Sequence, residues 1–355
     1  METSRFSYEL PPALIAQRAA EPRDASRLLV LHGDGRTEHR VFRDVIEYLR
    51  PGDLLVVNDT RVMKARLFAR RRPQGGRVEL LLLRRAGGGP AGGPPTAPDR
   101  VERWHVLVKP GRRAPVGQWL EAGDGRLGVR VVERTGEGGR VVELSSQTQP
   151  VDTLLDELGA LPLPPYIRVP LDDPERYQTV YARVAGSAAA PTAGLHFTPE
   201  LLEKIRRAGV RIEPLTLHVG VGTFRPVRSE RVEEHVMHEE FFTIPEETAE
   251  AILRTHEAGG RVWAVGTTVV RALESAAVGS HRVQAGPAST RLFIYPPYAF
   301  KVVDVLITNF HLPRSTLLML VCAFGGTERV LAAYREAVAL GYRFYSFGDA
   351  MLILP

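Results

Sequence analysis

Several groups of polar residues stand where predicted strands end, and such positions are where an α/β sheet binds its ligands. The run Asn58-Asp59-Thr60-Arg61 follows the apolar segment Leu54–Val57. Ligands of open α/β sheets lie beyond the carboxyl ends of the strands, so Asp59, Thr60 and Arg61 are candidates for contact with a polar ligand. An ordinary turn is the alternative, because Asn and Asp readily bond to their own backbone.

A second candidate is the run of small residues from Gly186 to Phe197, GSAAAPTAGLHF. Small side chains let backbone approach a ligand closely, and Ser187, Thr192 and Gly194 could contact it. His196 precedes a predicted helix, whose positive end favours a neutral imidazole. A neutral imidazole can act as a general acid or base near pH 7; a packed, hydrogen-bonded structural histidine is the alternative.

The loop Leu217–Phe224, LHVGVGTF, ends another predicted strand. It presents His218, and Gly220, Gly222 and Thr223 could also contact a ligand. The loop weakly resembles the glycine-rich loop with which methyltransferases hold S-adenosylmethionine. That loop leads straight into a helix, whereas the Arg-Pro pair that follows here predicts extended chain.

Two further clusters repeat the arrangement. Gly266-Thr267-Thr268 joins a strand to a predicted helix that carries Arg271, and unpaired N–H groups at a helix start attract carboxylates and phosphates. Thr268 could instead be a simple N-cap. Asn309 and His311 follow a fourth strand. Because these clusters converge on one predicted sheet, they predict a ligand site.

The chain offers little for a metal centre. His235, His238 and Glu239 have a compatible spacing, but no further ligand is evident. The single cysteine, Cys322, excludes an internal disulfide and cysteine-based zinc or iron–sulfur clusters. We expect no metal, no tightly bound cofactor and a reducing compartment.

The elements that position these clusters are indicated by two kinds of sequence pattern. Outside residues 61–150, strands alternate with helices: Val262–Val265 precedes a helix over Val269–Ala276, and a helix from Pro199 to Ala208 precedes a strand over Val210–Val219. This alternation predicts an α/β fold, with a mostly parallel or mixed sheet flanked by helices.

Between residues 61 and 150 the pattern is that of short strands separated by Gly- and Pro-rich breaks. Such spacing predicts a small antiparallel β-barrel inserted into the α/β fold. The expected strands include Val78–Leu83, Trp104–Lys109, Leu127–Glu133 and Val141–Leu144.

We therefore predict an α/β catalytic domain made of residues 1–60 and 151–355, and a barrel domain at 61–150. The Gly- and Pro-rich stretch at 86–98 is predicted to be a flexible loop. Residues 61–150 hold 18 Lys and Arg against 8 Asp and Glu, a net charge of +10, whereas the whole chain carries +5. A basic module of this kind favours a polyanionic partner, although a solvated charged surface is the alternative.

The start of the chain has no apolar run typical of a signal peptide. The longest apolar stretch, Leu317–Phe324, is much shorter than the roughly 20 residues that span a bilayer. We expect a cytoplasmic protein that does not enter a membrane.

Several long motifs resemble one family over nearly the whole chain, in the expected order. They are Asp24–Leu29, Asn58–Val62, Leu161–Ile167, Gly186–Phe197, Leu217–Phe224, Thr308–Pro313 and Tyr342–Ile353. In these stretches the chain is similar to the S-adenosylmethionine:tRNA ribosyltransferase-isomerases of the queuosine pathway. It departs from them at Ala188, where the family usually has Val, near Ala19–Pro22, and in the stretch at 86–98.

The resemblance implies a reaction. S-adenosylmethionine is a co-substrate whose ribosyl group is transferred and isomerised onto 7-aminomethyl-7-deazaguanine at the wobble position of a tRNA. Epoxyqueuosine-tRNA forms, and adenine and methionine are released. The family combines an α/β domain with a β-barrel domain, and we expect a monomer.

This chemistry needs a base for the amine and for the C–H next to the sulfonium, and an acid that helps adenine leave. His196 or His218 is the expected main acid or base, with Asp59 and His311 as further candidates. Gly266–Thr268 would hold the methionine carboxylate.

The remaining expected contacts concern the donor and the RNA. Arg61 would hold a carboxylate or a tRNA phosphate, with Thr60, Ser187, Thr192, Gly194, Gly220, Gly222, Thr223, Arg271 and Asn309 as further binding residues. Arg70, Arg71, Arg72, Arg112 and Arg113 are the expected RNA contacts of the barrel.

Three other functions stay open on these residues. A methyltransferase acting on RNA would produce S-adenosylhomocysteine. A base-exchange transglycosylase would release guanine and use no S-adenosylmethionine. A non-catalytic RNA-binding protein would not need polar clusters at so many strand ends.

Overall fold

The chain forms two compact units in the computed structural model, which describes residues 1–73, 75–86, 100–220, 227 and 229–355. The first, called here the α/β unit, comprises Met1–Asp59, Pro165–Arg183 and Ala190–Pro355. The second, the barrel unit, comprises Thr60–Pro164 and Val184–Ala189. The stretch predicted to be a flexible loop lies, from residue 87 onward, outside the described residues.

The strands and helices alternate along the α/β unit, whereas the barrel unit is built mainly from strands. In chain order the strands are β1 (Arg27–Leu31), β2 (Thr37–Val41), β3 (Leu54–Asn58), β4 (Thr60–Val62), β5 (Arg66–Arg71), β6 (Gly76–Arg85), β7 (Val101–Lys109), β8 (Trp119–Ala122), β9 (Leu127–Arg134), β10 (Gly139–Ser145), β11 (Val184–Ser187), β12 (Arg211–Leu217), β13 (Glu240–Ile244), β14 (Val262–Val265), β15 (Gly286–Thr290), β16 (Val305–Asn309) and β17 (Ala350–Ile353). The α-helices are α1 (Val151–Leu158), α2 (Pro199–Arg207), α3 (Glu246–Glu257), α4 (Thr267–Ser275), α5 (Thr316–Gly325) and α6 (Thr327–Ala339).

The α/β unit is organised around a mixed nine-stranded sheet with the order β15-β13-β12-β3-β14-β16-β17-β1-β2. Its centre, β12-β3-β14-β16, is parallel. In that register Val56 lies between Glu213 on β12 and Ala264 on β14. The mixed sheet confirms the predicted fold class.

The central strands are apolar because both faces of the sheet are covered. Every residue of β3, β14 and β16 is buried, as expected for parallel strands with helices on either side. Helix α2 supplies part of this cover through Leu201, Leu202 and Ile205. Its start follows the predicted pattern, because the Thr198 hydroxyl accepts a hydrogen bond from the Leu201 N–H at 3.1 Å and Pro199 is the first helical residue.

The barrel unit contains the predicted antiparallel barrel, which is closed in the order β10-β7-β6-β5-β8-β9. Alternate residues point inward, as the strand period requires, and pack around the fully buried Trp104. The unit extends beyond the predicted 61–150, because α1 buries Val151, Leu154 and Leu155 against the barrel core. Strand β11 also belongs to it, through parallel pairing with β4.

The described ranges contain neither a single helix that could span a membrane nor a metal-binding cluster of side chains. No single helix there is long and apolar enough to cross a bilayer; α5 and α6 meet that test only as a pair, and they are bent by 114° where they join. The same residues contain no group of three or more His, Cys, Asp and Glu side chains placed to hold a metal ion.

Candidate functional site

The carboxyl ends of the parallel strands bring several of the predicted clusters to one edge of the sheet. Asn58 ends β3, and its side-chain amide donates to the Leu217 carbonyl at 2.9 Å and accepts from the Leu217 N–H at 3.0 Å. Asn58 also donates to the Thr268 hydroxyl at 3.4 Å. Asn58 therefore ties the end of β12 and the start of α4 to β3.

At this edge the α/β unit contains a pocket, which is lined by residues from several of the predicted clusters. The predicted site residues that line it are Thr192, Gly266, Thr267, Thr268, Asn309 and His311. Its other polar lining residues are Tyr166, Thr308, Ser315, Tyr345 and Ser346. Among the described lining residues there is no Asp, Glu, Lys or Arg, so the pocket is an uncharged one.

Asn309 is held rigidly in the wall of this pocket. Its amide nitrogen Nδ2 donates to the Tyr345 carbonyl at 3.1 Å and lies 3.2 Å from His196 Nε2. Its oxygen Oδ1 accepts from the Thr192 hydroxyl at 3.4 Å. The Tyr345 carbonyl can only accept a hydrogen bond, so the Asn309 amide must point its NH₂ group toward it. The same NH₂ group faces His196 Nε2 and can only donate, so Nε2 is the acceptor in that bond.

His196 therefore contacts the lining residue Asn309 without lining the pocket itself. It does not line the pocket, its ring is stacked on Phe42 with centroids 5.0 Å apart, and Nδ1 lies 2.7 Å from the Ser26 hydroxyl. Burial, with smaller contributions from Arg343 and Arg23, lowers the pKa of His196 to about 3. The imidazole is neutral at physiological pH, as expected, but both of its nitrogens are already engaged.

His311 is the histidine that lines the pocket. Its Nε2 lies 2.7 Å from the Thr308 hydroxyl, and its backbone N–H donates to the Tyr334 hydroxyl at 3.1 Å. Burial lowers the pKa of His311 to about 3. Among the described residues no partner is found for Nδ1 of this ring, so a neutral His311 has one nitrogen available for a ligand.

The start of α4 forms the second polar part of the pocket. Gly266 precedes the helix with φ of 95°, a left-handed value that strongly favours glycine. Gly266, Thr267 and Thr268 all line the pocket, and the first N–H groups of a helix have no partner within it. The arrangement suits a ligand carboxylate or phosphate.

An aromatic wall, which the sequence did not reveal, completes the site. Tyr166 and Tyr345 are stacked with ring centroids 4.6 Å apart, and the Tyr166 hydroxyl lies 2.7 Å from the Ser346 hydroxyl. Tyr345 adopts φ of 70°, which is uncommon for a residue with a side chain. Its buried hydroxyl has no hydrogen-bond partner among the described residues.

Several predicted site residues lie away from this pocket. Asp59 accepts from the Thr216 hydroxyl at 2.6 Å and pairs with Arg183 at 2.9 Å, and it lines a different cavity. His218 is not a lining residue either; its backbone N–H donates to the Phe241 carbonyl at 3.1 Å. Burial lowers the pKa of His218 to about 4, although Asp59 acts in the opposite direction.

Other predicted contacts have a visible structural role. Arg271 is buried and paired with Glu240, and its Nε donates to the Leu292 carbonyl at 3.0 Å. The Gly220 N–H donates to the same Glu240 at 3.1 Å. Gly194 is required for packing, because a Cβ atom there would lie 2.1 Å from the Tyr181 hydroxyl.

The predicted contacts Thr60, Arg61 and Ser187 belong to the barrel unit. There Thr60 and Arg61 lie on β4 and Ser187 ends β11, where its hydroxyl donates to the Ala189 carbonyl at 2.6 Å. Gly222 and Thr223 fall outside the described residues.

The five predicted RNA contacts differ in how they are engaged. Arg71 donates to Gln118 at 3.0 Å, Arg72 pairs with Glu121, and Arg113 donates to the Arg77 carbonyl at 3.2 Å. Arg70 and Arg112 are exposed, and among the described residues neither has an ion-pair partner.

A mixed α/β sheet with a pocket at the carboxyl edge of its parallel strands is typical of units that bind a small organic molecule. The sequence model of the family described as "Queuosine biosynthesis protein" matches residues 3–353. The chain therefore belongs to the queuosine biosynthesis protein family, a family of enzymes.

Individual relatives support this assignment, and their similarity to the chain extends over their full lengths. Proteins named S-adenosylmethionine:tRNA ribosyltransferase-isomerase from Moorella thermoacetica and Pelotomaculum thermopropionicum are 56% and 54% identical to the chain, with complete coverage of both partners in each case. A crystal structure of S-adenosylmethionine tRNA ribosyltransferase from Thermotoga maritima is similar with a TM-score of 0.55 at 43% identity, over 99% of this chain and 100% of that one.

Proposed function

We propose that the protein transfers and isomerises the ribosyl group of S-adenosylmethionine onto 7-aminomethyl-7-deazaguanine at the wobble position of a tRNA. The products are epoxyqueuosine-tRNA, adenine and methionine. The observation that carries this proposal is the pocket at the carboxyl edge of the sheet, whose described lining residues are uncharged, in a chain more than half identical over its full length to proteins named S-adenosylmethionine:tRNA ribosyltransferase-isomerase.

The lack of charged lining residues suits a sulfonium donor. A cationic side chain in the wall would repel the sulfonium. A carboxylate would stabilise the sulfonium in the ground state as much as in the transition state, and such uniform binding does not accelerate the reaction. Since burial holds the pKa of His311 near 3, that residue adds no positive charge at neutral pH. The described lining residues then present neutral groups to the donor cation, together with aromatic rings, which attract cations.

The methionine part of the donor is assigned to the start of α4. Its carboxylate would accept hydrogen bonds from the N–H groups of Thr267 and Thr268, and the dipole of the nine-residue helix contributes roughly 0.3–1 kcal/mol. Gly266 is suited to this task because its φ of 95° turns the backbone away before the helix begins.

We assign proton handling to His311 rather than to His196 or His218. Of these three, His311 alone lines the pocket, and its Nδ1 has no partner among the described residues. As a neutral ring fixed through Nε2 by Thr308, it can accept a hydrogen bond from the attacking amine. His196 is then a positioning residue that orients Asn309.

The two units are assigned different roles because one has a pocket and the other has exposed arginines. We propose that the α/β unit is the catalytic domain and that the barrel unit recruits tRNA through its arginines, with Arg70 and Arg112 more available than the engaged Arg71, Arg72 and Arg113. The enzyme would act as a cytoplasmic monomer, with S-adenosylmethionine as co-substrate and without a metal.

Product analysis tests the proposal. The protein is incubated with S-adenosylmethionine and tRNA carrying 7-aminomethyl-7-deazaguanine, beside a control tRNA carrying guanine. Adenine and methionine released with the modified tRNA alone are the expected result. S-adenosylhomocysteine would indicate methyl transfer, and free guanine would indicate base exchange; either would refute the proposal.

A further inference from the structure

The outer surface of the barrel carries a row of arginines and aromatic rings on four adjacent strands. The alternation of β5, β6, β8 and β9 places Phe68, Arg70, Arg77, Trp119 and Arg130 outward, while their neighbours fill the barrel core. These five residues are called the stacking face. The β-sheet register forms it from two pairs, Arg70 with Arg77 across β5 and β6, and Trp119 with Arg130 across β8 and β9. Between the two pairs, Glu121 of β8 lies opposite Arg70 of β5.

Each of the two rings is exposed and has an arginine beside it. Phe68 is 40% exposed and Trp119 is 47% exposed. The Arg77 guanidinium carbon lies 4.2 Å from the Phe68 ring centroid, and that of Arg130 lies 5.8 Å from the Trp119 centroid. The rings therefore offer flat, partly hydrated surfaces rather than packing into the protein.

The charges of this face are not neutralised by the chain itself. Arg70 and Arg77 stand directly opposite each other, and like charges in that position destabilise a sheet. The nearby Glu79 and Glu121 are taken by Arg66 and Arg72. Among the described residues Arg70, Arg77 and Arg130 have no carboxylate partner, so three positive charges remain for an external anion.

We propose that the stacking face binds unpaired nucleotides of RNA, with phosphates on Arg70, Arg77 and Arg130 and bases stacked on Phe68 and Trp119. Proteins that bind single-stranded nucleic acids combine basic grooves with aromatic rings in this way, because every base has a face that can stack. An acidic protein partner would use the arginines but not the exposed rings. The inference rests on the proposed function in one respect, because it takes the bound RNA to be a loop of the tRNA substrate.

Tryptophan fluorescence offers a direct test, because the three tryptophans differ in exposure. Trp104 and Trp263 are buried at 1% and 0%, so Trp119 is the exposed one. The full-length protein is titrated with an RNA hairpin bearing a seven-nucleotide loop, and with a duplex of the same composition. We expect quenching by the hairpin, little quenching by the duplex, and loss of the quenching in Trp119→Leu.

Binding constants for the same hairpin then test the remaining residues. Phe68→Leu and Trp119→Leu are each expected to raise Kd about tenfold, the effect of losing one stacked base. Changing Arg70, Arg77 and Arg130 together to Gln should lower the slope of log Kd against log salt by about 2. Val116→Ala, at a 58% exposed apolar site of the same unit, and Arg126→Gln, which removes an arginine paired with Glu157, are the matched controls.

The outcomes separate this inference from the proposed function. If both aromatic variants bind the hairpin like wild type, or if the duplex binds and quenches as well as the hairpin, the stacking face is wrong, and release of adenine by wild type would still support the proposed function. If wild type binds no RNA and releases no adenine with modified tRNA, both are wrong.

Discussion

The pocket of the α/β unit and the stacking face of the barrel unit differ in the physical means that each offers for binding a ligand. The described lining residues of the pocket are uncharged, and its polar groups are fixed by internal hydrogen bonds such as those of Asn309. The stacking face is exposed, and its arginines lack carboxylate partners among the described residues. One region is suited to discriminating a small molecule, and the other to attracting a polyanion.

The difference predicts which conditions affect each region. Buried neutral groups act over short distances and are insensitive to salt, whereas exposed charges are screened beyond about 10 Å at 0.1 M salt. Substitutions in the pocket should therefore alter catalysis and leave RNA affinity unchanged. Salt and surface substitutions should do the reverse.

The largest effect is expected from His311→Ala. Removing the pocket histidine should lower kcat by about 10²–10⁴-fold, the usual contribution of a general acid or base, with the Kd for tRNA unchanged. His196→Gln is the matched control, because its side-chain oxygen can replace Nε2 as the acceptor for Asn309. Single-turnover rates provide the measurement, and a larger loss in His196→Gln than in His311→Ala would reverse our assignment of the two histidines.

Acid should destabilise the α/β unit before the barrel unit. The folded state lowers the pKa of His196 to about 3 from about 6.5 in the unfolded chain, so its contribution to stability is complete above pH 6.5 and is lost as the pH falls toward 3. At pH 5 the loss from this residue is about 2 kcal/mol.

Hydrogen exchange at pH 7 and pH 5 can measure this difference. After division by the intrinsic exchange rate at each pH, amides of β3, β14 and β16 should be less protected at pH 5 than at pH 7. Those of β6 and β7 should change less, since the barrel unit's one histidine is the half-buried His105. An equal loss of protection in both units would contradict the explanation.

Salt should affect the KM values of the two substrates differently. Raising the salt concentration from 50 to 200 mM should increase the KM for tRNA about 20-fold if some three phosphates are contacted. The KM for S-adenosylmethionine should stay constant, because its pocket has no charged lining residue among those described. Steady-state kinetics at fixed pH would test this, and an equal increase in both KM values would place charged contacts in the donor site.

The smallest effect is expected from Tyr345→Phe. The tyrosine hydroxyl is buried without a partner among the described residues, so its removal should not reduce thermal stability. If a ligand satisfies it, the Kd for S-adenosylmethionine should rise about two- to tenfold, the value of one neutral hydrogen bond. Unchanged affinity together with unchanged Tm would show that the hydroxyl serves neither the fold nor the donor.

Local patterns in the sequence were sufficient for much of the fold. The apolar run of β3, the Thr198-Pro199 helix start and the alternating barrel strands depend on neighbouring residues, and the structure confirms them. The extent of the barrel unit depended instead on the packing of α1 against residues far away in the chain, which no local pattern reveals.

The site was predictable only in part, for the same reason. Gly266–Thr268 and Asn309 were found because polar residues follow buried strands. The roles of His196 and His311 could not be distinguished, since they depend on Ser26, which is 170 residues away from His196, and on the direction of each ring. Tyr345 gave no signal, because a tyrosine with positive φ is not expected from its residue type.

The most direct test of the account follows the two halves of the donor. S-adenosylmethionine labelled with one isotope in the ribose and another in the methyl group is incubated with the protein and tRNA carrying 7-aminomethyl-7-deazaguanine, and the tRNA is then isolated. We predict that the ribose label appears in the tRNA and that the methyl label is recovered in free methionine. Methyl label in the tRNA, with the ribose label in S-adenosylhomocysteine, would contradict the account.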